Sequence, residues 1–315
     1  MATLTLAARP APTDDYREPS IHRKVGIGVA LVGLMGTMAA FIANLVAAAG
    51  VDEANSHQET LAWSFGLTIL SFGTLKIAIA VILMGIIVRL WFRVDSVKAA
   101  LQGLHGHSDE PLPAIGPVDT PYGRAEVTAS PPKLLPIHRM ARKLWPPMLA
   151  MGAMALVAGF IASLVWANET PGTEDFSQAG AWTQGLQFLG EGMLLAGIAF
   201  LLGTILAGLR EGGGEVQASL GIPVTTLKMP ATAKAFVGFM MMGLMISIVQ
   251  FVLYVVAAAN ADDPASFSSW SNWLGPFREI GLGSILLGIV LALYTIGNVL
   301  AFQFDRVKSI VRTGS

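Results

Sequence analysis

Residues 182–209 of the chain read WTQGLQFLGEGMLLAGIAFLLGTILAGL, with Glu191 as the one charged side chain among them. A helix needs about 20 mainly apolar residues to cross a bilayer, and this stretch meets that requirement. Five similar stretches complete the set of predicted spans, which are 25–47, 63–90, 146–167, 182–209, 233–259 and 273–301. The sequence therefore predicts an all-α integral membrane protein with six transmembrane helices.

The composition of the whole chain agrees with this prediction. Of its 315 residues, 53% are hydrophobic and 13% are charged, the net charge is −1 and the mean hydropathy is +0.61. Soluble proteins carry about 25% charged residues. The balance argues against a soluble enzyme, a nucleic-acid binder and a disordered protein. The chain has no cysteine, which excludes disulfides, thiolate metal sites and iron–sulfur clusters.

The distribution of basic residues predicts the orientation in the membrane. The loops 48–62, 168–181 and 260–272 contain no Lys or Arg, whereas 18 of the 20 basic residues fall on the other side. Loops rich in Lys and Arg stay in the cytoplasm. Both termini are therefore predicted to be cytoplasmic, in a bacterial-type inner membrane. The first twenty residues lack the apolar region of a cleaved signal peptide.

A threefold internal repeat accompanies the six spans. Trp63, Trp182 and Trp273 each open an even-numbered span, and offsets of 119 and then 91 residues relate them without a gap. The same offsets relate glycines in both helices of each pair, and the sets are Gly33, Gly152 and Gly243, and Gly73, Gly192 and Gly283. The pattern predicts three tandem two-helix hairpins of one orientation, related by an axis along the membrane normal as in a pseudo-threefold bundle.

The predicted organisation follows from the spans and the repeat. The tails and the segments between hairpins are polar or rich in Pro and Gly, and 99–136 holds seven of the 17 prolines. We expect that segment to be a disordered or extended linker, or a strap lying along a partner subunit. The units are a tail (1–20), hairpin 1 (21–98), the linker (99–136), hairpin 2 (137–211), a cytoplasmic loop (212–229), hairpin 3 (230–308) and a second tail (309–315).

Four ionisable side chains lie inside the even-numbered spans: Lys76, Glu191, Arg278 and Glu279. Their offsets from the Trp of the same span place them within one arc of each helix, about 8 to 20 Å below the outer Trp belt. Two cations and two anions would balance. Charges at such depth face protein or water, so they form either a structural ion network or a path for protons, ions or a solute. Arg278 and Glu279 also fit a position near the outer membrane interface, partly in contact with water.

Mostly small residues at positions eight, eleven and fifteen after each Trp form a second stripe on the even-numbered helices. Small residues let membrane helices approach each other. We therefore expect close helix contacts at five glycines of these helices, which are Gly73, Gly192, Gly197, Gly283 and Gly288. A ligand groove is the alternative interpretation of the stripe. We expect Trp63, Trp182 and Trp273 to be anchors at the outer interface.

The five histidines bear on cofactors, and they are His22, His57, His105, His107 and His138. None lies in a predicted span, so the sequence lacks the facing intramembrane pair that would hold a b-type haem. His22 and His138 open equivalent helices and are predicted interfacial anchors beside anionic lipid, with a bound lipid or quinone headgroup as the alternative. The pair His105 and His107 is a weak metal motif, and we predict no metal site.

The function predicted on these grounds is non-catalytic. No nucleophile–base pair and no carboxylate pair is apparent, so we do not expect an enzyme. The leading hypothesis is a scaffold, anchor or docking subunit of an inner-membrane complex. An electron-transfer or energy-conserving complex is one option for that assembly. Its expected partners are membrane lipid and other membrane subunits, without nucleic acid. The alternative is a small-solute or proton-coupled transporter whose path passes the four intramembrane charges.

Overall fold

The structure is a computed structural model that describes residues 20–49, 54–102, 114–130, 133–262 and 264–313. The first tail, apart from its last residue, and the pair His105 and His107 lie outside these ranges. Six helices in the described ranges are long and apolar enough to cross a membrane. They are α1 (Ser20–Ala49), α2 (Ala54–Gln102), α3 (Pro136–Asn168), α4 (Glu174–Ser219), α5 (Ala231–Ala259) and α6 (Pro264–Thr313).

The turn between α3 and α4 shows how the chain sets helix ends. α3 ends where Glu169 adopts an extended backbone, and Gly172 in the turn that follows has φ +85°, a conformation that suits glycine. The hydroxyl of Thr173 then caps α4 by accepting a hydrogen bond of 3.2 Å from the N–H of Phe176. Glu174 and Asp175 follow in the first turn, where negative charge suits the helix dipole.

The helices fall into two length classes. The odd-numbered helices contain 30, 33 and 29 residues, and the even-numbered helices contain 49, 46 and 50. At 1.5 Å per residue these are about 45 Å and about 70 to 75 Å long. The hydrocarbon core is about 30 Å thick. The even-numbered helices therefore extend far beyond it, well past the ends of the predicted spans.

The same contact closes each hairpin. A glycine of the odd-numbered helix lies against the residues eight and twelve positions after the Trp of the even-numbered helix. The three sets are Gly33 with Ser71 and Leu75, Gly152 with Gly190 and Leu194, and Gly243 with Gly281 and Ile285. Because a side chain at any of these glycines would collide with its partner helix, the glycines permit close approach of the two backbones.

α4 lies at the centre of the helix assembly. It packs against α2, α3, α5 and α6, whereas α1 packs on α2. The apolar stretch of α4 is 83% buried, against 33% for α2 and 28% for α6. A closed pseudo-threefold bundle would bury the three even-numbered helices alike, so the hairpins are not in equivalent environments.

Two glycines explain why α4 accepts neighbours on opposite sides. Gly190 lies against Leu156 of α3, and Gly192 lies against Ser247 of α5. Residues two apart project about 200° apart on a helix. Both faces of α4 are therefore open to close backbone approach.

A three-stranded antiparallel sheet accompanies the helices, in the order β1 (Gly116–Thr120), β2 (Gly123–Thr128) and β3 (Val224–Leu227). The first two strands form a hairpin in which Thr120 pairs with Gly123, and Val127 pairs with Thr225 of β3. The prediction of a disordered or extended linker is therefore wrong for residues 116–128, which fold onto the chain itself. The helices agree with the predicted all-α membrane protein, to which this short sheet is an addition.

The linker hairpin has an identifiable physical cause. Pro121 and Tyr122 form its two-residue loop, and Gly123 adopts φ +123° directly after it. In β2, Ala125 and Val127 are buried, while Arg124 and Glu126 are exposed. This alternation of period two is typical of a strand with one covered face.

Candidate functional site

Three of the four predicted intramembrane charges meet in the structure. Lys76 Nζ lies 2.6 Å from Glu191 Oε1, and Arg278 Nη2 lies 2.7 Å from Glu191 Oε2. Each carboxylate oxygen therefore accepts a hydrogen bond from a different cation. We call these three residues the ion triad.

The central position of α4 brings the ion triad together. Glu191 projects from α4, while Lys76 and Arg278 come from α2 and α6, the even-numbered helices that pack on either side of it. The Glu191 side chain is 5% exposed, and those of Lys76 and Arg278 are 19% and 20% exposed. Charge-assisted hydrogen bonds at such burial are strong. The carboxylate thus links all three hairpins.

Aromatic and polar groups surround the Arg278 end of the triad. The guanidinium carbon lies 3.9 Å from the centre of the Phe188 ring, a cation–π contact. Nearby, Tyr254 donates a hydrogen bond of 3.0 Å to Gln184 Oε1. Gln250 of α5 donates one of 3.1 Å to the Leu274 carbonyl of α6. These contacts join α4, α5 and α6 around the arginine.

Glu279, the fourth predicted charge, lies next to Arg278 in α6, and its side chain lies outside the described part of the chain. The described triad has two cations and one carboxylate. The predicted charge balance therefore stays a prediction.

The predicted packing glycines divide into two groups. Gly73 lies against Leu156 and Leu194, and three others lie against a neighbouring helix in the same way. These three are Gly192 beside Ser247, Gly197 beside Leu149, and Gly288 beside Phe236 and Met240. Gly283 differs, because no described atom lies within 4 Å of where its Cβ would be. The expectation that Gly283 makes a helix contact is wrong for this structure.

The predicted anchors occupy different surroundings. The tryptophans Trp182 and Trp273 are 39% and 44% exposed, and Trp63 is half-buried. His22 packs beside Gly85 of α2, whereas His138 lies near Arg142 and Arg210 and lines a cleft. The two histidines therefore open equivalent helices but face different neighbours.

The structure contains a cleft that was not predicted from the sequence, at the end of the helices opposite Trp63, Trp182 and Trp273. It lies between the starts of α3 and α5, with α4 behind it and α6 and β3 beside it. Its charged lining residues are Arg210, Lys228 and Arg306, and His138 also lines it. No Asp or Glu is among its described lining residues. We call it the basic cleft. A signal was present in the sequence, since Arg210 follows directly on the apolar stretch of α4.

Metal-binding and comparative observations complete the description of the site. Among the described residues, no three His, Asp or Glu side chains are grouped so that they could hold a metal ion. Comparisons with protein-family models, curated proteins and solved structures find no match to this chain.

Proposed function

We propose that the protein is a non-catalytic membrane subunit that serves as a rigid scaffold or docking surface in an inner-membrane complex. In this proposal three tandem hairpins of one orientation build its membrane part. Both termini, the sheet and the extended helix ends lie in the cytoplasm, as the distribution of basic residues predicts.

The ion triad carries the proposal. One carboxylate, Glu191, bonds to cations from hairpins 1 and 3 at 2.6 and 2.7 Å. Relative movement of the hairpins would separate opposite charges at low dielectric, where their attraction is strongest. Such a link suits an assembly that keeps one arrangement, as a scaffold does. It suits less well a carrier whose repeats rock against each other.

The length of the even-numbered helices supplies the docking surface. They are about 25 Å longer than their odd-numbered partners, and the sheet attaches beside their ends. Tyr122 in the loop between β1 and β2 donates a hydrogen bond of 2.6 Å to Asp305 of α6. Its ring also packs against Phe302, with 6.2 Å between ring centres. These contacts fix the sheet to a helix that projects beyond the bilayer, which favours partner binding there.

Extraction in mild detergent followed by native mass measurement tests the proposal. We expect the chain to migrate as part of a larger particle that contains other subunits in fixed ratio. A matched sample with Tyr122→Ala, which detaches the sheet from α6, should release partners while keeping the membrane part folded. A lone monomer or a homo-oligomer from native membranes would overturn the proposal.

A transporter is the second candidate, and the incomplete burial of the cations favours it. Lys76 and Arg278 keep about a fifth of their side chains exposed, and intramembrane ionisable groups commonly mark ion or solute paths. In proteoliposomes with an imposed proton gradient, a transporter would show flux that Glu191→Gln abolishes while the fold persists. Absence of flux in the wild-type protein would exclude proton coupling of this kind.

A further inference from the structure

We infer that the basic cleft binds the headgroup of one anionic phospholipid, with the upper part of an acyl chain against its apolar interior. The inference goes beyond the scaffold proposal and does not depend on it. It rests on the charge of the lining residues, on their depth in the membrane and on the shape of the cleft.

The first observation is the one-sided charge of the cleft. Arg210, Lys228 and Arg306 line it, and its described lining includes no carboxylate. One acid, Glu126, lies beside the cleft: its Oε2 is 3.7 Å from Lys228 Nζ, and its charge also acts on Arg210. Both side chains of that pair are more than half exposed, so their mutual attraction is weak. The cleft therefore keeps an excess of positive charge that a phosphate would neutralise.

The fold fixes the side chain of Arg306 and the backbone of Lys228. Arg306 is 8% exposed, donates a hydrogen bond of 3.1 Å to Gln303 and lies over the ring of Phe302. The backbone N–H of Lys228 donates a hydrogen bond of 2.9 Å to the Arg124 carbonyl, which extends the pairing of β3 with β2. Preformed positions lower the entropic cost of binding an anion.

The depth of the cleft matches the boundary between acyl chains and headgroups. Arg210 follows Trp182 by 28 residues, a rise of about 42 Å along α4. A bilayer including both headgroup layers is about 40 to 45 Å thick. Arg210 thus reaches the opposite headgroup layer when Trp182 lies in the first. Phe200, which also lines the cleft, lies about 15 Å from Arg210 along the same helix, toward the membrane centre and at the level of the acyl chains.

The composition of the interior agrees with an amphiphilic ligand. Below the cations, the lining is apolar and includes Phe200, Phe236 and Met240. The cleft and its mouth together have an empty volume of about 850 Å³. Basic pockets between membrane helices on the cytoplasmic side bind acidic lipid headgroups in general. Charge above an apolar wall favours a lipid over a free anion.

Native mass spectrometry of the full-length protein tests the inference. Protein in detergent is mixed with phosphatidylglycerol or with zwitterionic phosphatidylcholine, and the bound lipids are counted. We expect one phosphatidylglycerol to be retained, and retention to fall at least tenfold in the double variant Arg210→Gln with Lys228→Gln. The matched control is Lys234→Gln, an exposed cation of α5 outside the cleft, which should leave retention unchanged.

Three outcomes would overturn the inference. They are equal retention of both lipids, undiminished phosphatidylglycerol binding in the double variant, and displacement of the lipid by millimolar inorganic phosphate, which would indicate a free-anion site. If the double variant does not fold, Val237→Trp provides the decisive measurement. It fills the apolar part of the cleft and leaves every charge in place, so we expect it to lose the lipid. Normal retention by that variant would exclude a lipid site here.

Discussion

Lys76 and Glu191 lie 115 residues apart in the chain and form a hydrogen-bonded ion pair of 2.6 Å between α2 and α4. The carboxylate of Glu191 is nearly inaccessible to solvent and also accepts a hydrogen bond from Arg278. Two partly buried cations therefore bond to one acid. Removal of that acid affects three helices at once.

We expect Glu191→Gln to lower the free energy of unfolding by about 3 to 5 kcal/mol, because it removes the carboxylate that two partly buried cations share. Thermal or denaturant unfolding in detergent measures the loss. Glu174→Gln is the matched control, since it changes an exposed acid of the same helix and should cost less than about 1 kcal/mol. A double-mutant cycle with Lys76→Met should give a coupling of about 0.5 to 3 kcal/mol. Additive effects would show that the pair is not energetically linked.

The glycine contacts predict that substitution of Gly by Val has different effects on stability at two sites in the same hairpin. We expect Gly243→Val to destabilise the protein by about 1 to 3 kcal/mol, because its side chain would meet Ile285 and the carbonyl of Gly281. Gly283→Val enters open space and should change stability little. Melting temperatures of the two variants, measured side by side in one detergent, provide the comparison. Equal melting temperatures would contradict the close packing at Gly243.

The attachment of the sheet should depend on pH. The hydrogen bond to Asp305 raises the pKa of Tyr122 above its usual value of 10.0, since the neutral phenol is the donor. The attachment is therefore complete below pH 10 and is lost as the pH rises through the folded-state pKa. Tyr122→Phe removes the hydroxyl and keeps the ring contact with Phe302. We expect faster amide exchange over residues 116–128 in that variant, without the further loss at alkaline pH that the wild-type protein shows.

The absence of cysteine permits a clean test of orientation. Thr170→Cys and Ala129→Cys place single thiols at exposed positions in a predicted outer loop and in the predicted cytoplasmic linker. A membrane-impermeant maleimide should label Thr170→Cys in intact spheroplasts and label Ala129→Cys only after lysis. Both should react equally in detergent. The reverse pattern would show that the termini are outside.

The meeting of the ion triad could be anticipated from the sequence in part. Lys76, Glu191 and Arg278 follow the Trp of their helices by 13, 9 and 5 residues, which predicts a shared face but depths that differ by about 6 Å at each step. The structure joins them because the long side chains of Lys and Arg span that difference. The tilt and axial shift of the helices cannot be derived from sequence offsets alone.

The central position of α4 could not be predicted from hydropathy. All six helices have similar mean hydropathy, 2.2 to 2.3, although their burial ranges from 17% to 83%. Lipid tails and protein interiors are equally apolar, so hydropathy does not distinguish a helix that faces lipid from one enclosed by protein. The glycines on two faces of α4, Gly190 and Gly192, were the available signal.

The sheet was missed for a different reason. Its hairpin has local signals in Pro121 and Gly123, but β3 comes from a loop about 100 residues further along the chain. Val127 of β2 pairs with Thr225 of β3. Pairing of two strands so far apart in the chain produces no periodic pattern in the sequence near either strand.

The origin of the ion triad in three separate hairpins has a consequence for biogenesis. Chains are synthesised from the N-terminus, so Lys76 enters the membrane before its carboxylate exists. An isolated charge at mid-membrane costs about 2.5 to 3.5 kcal/mol on insertion scales. Arrival of Glu191 with the second hairpin relieves that cost, and Arg278 joins an acid that is already engaged. The second hairpin thus meets the electrostatic requirement of the first, which favours pairing of these two hairpins before the third enters.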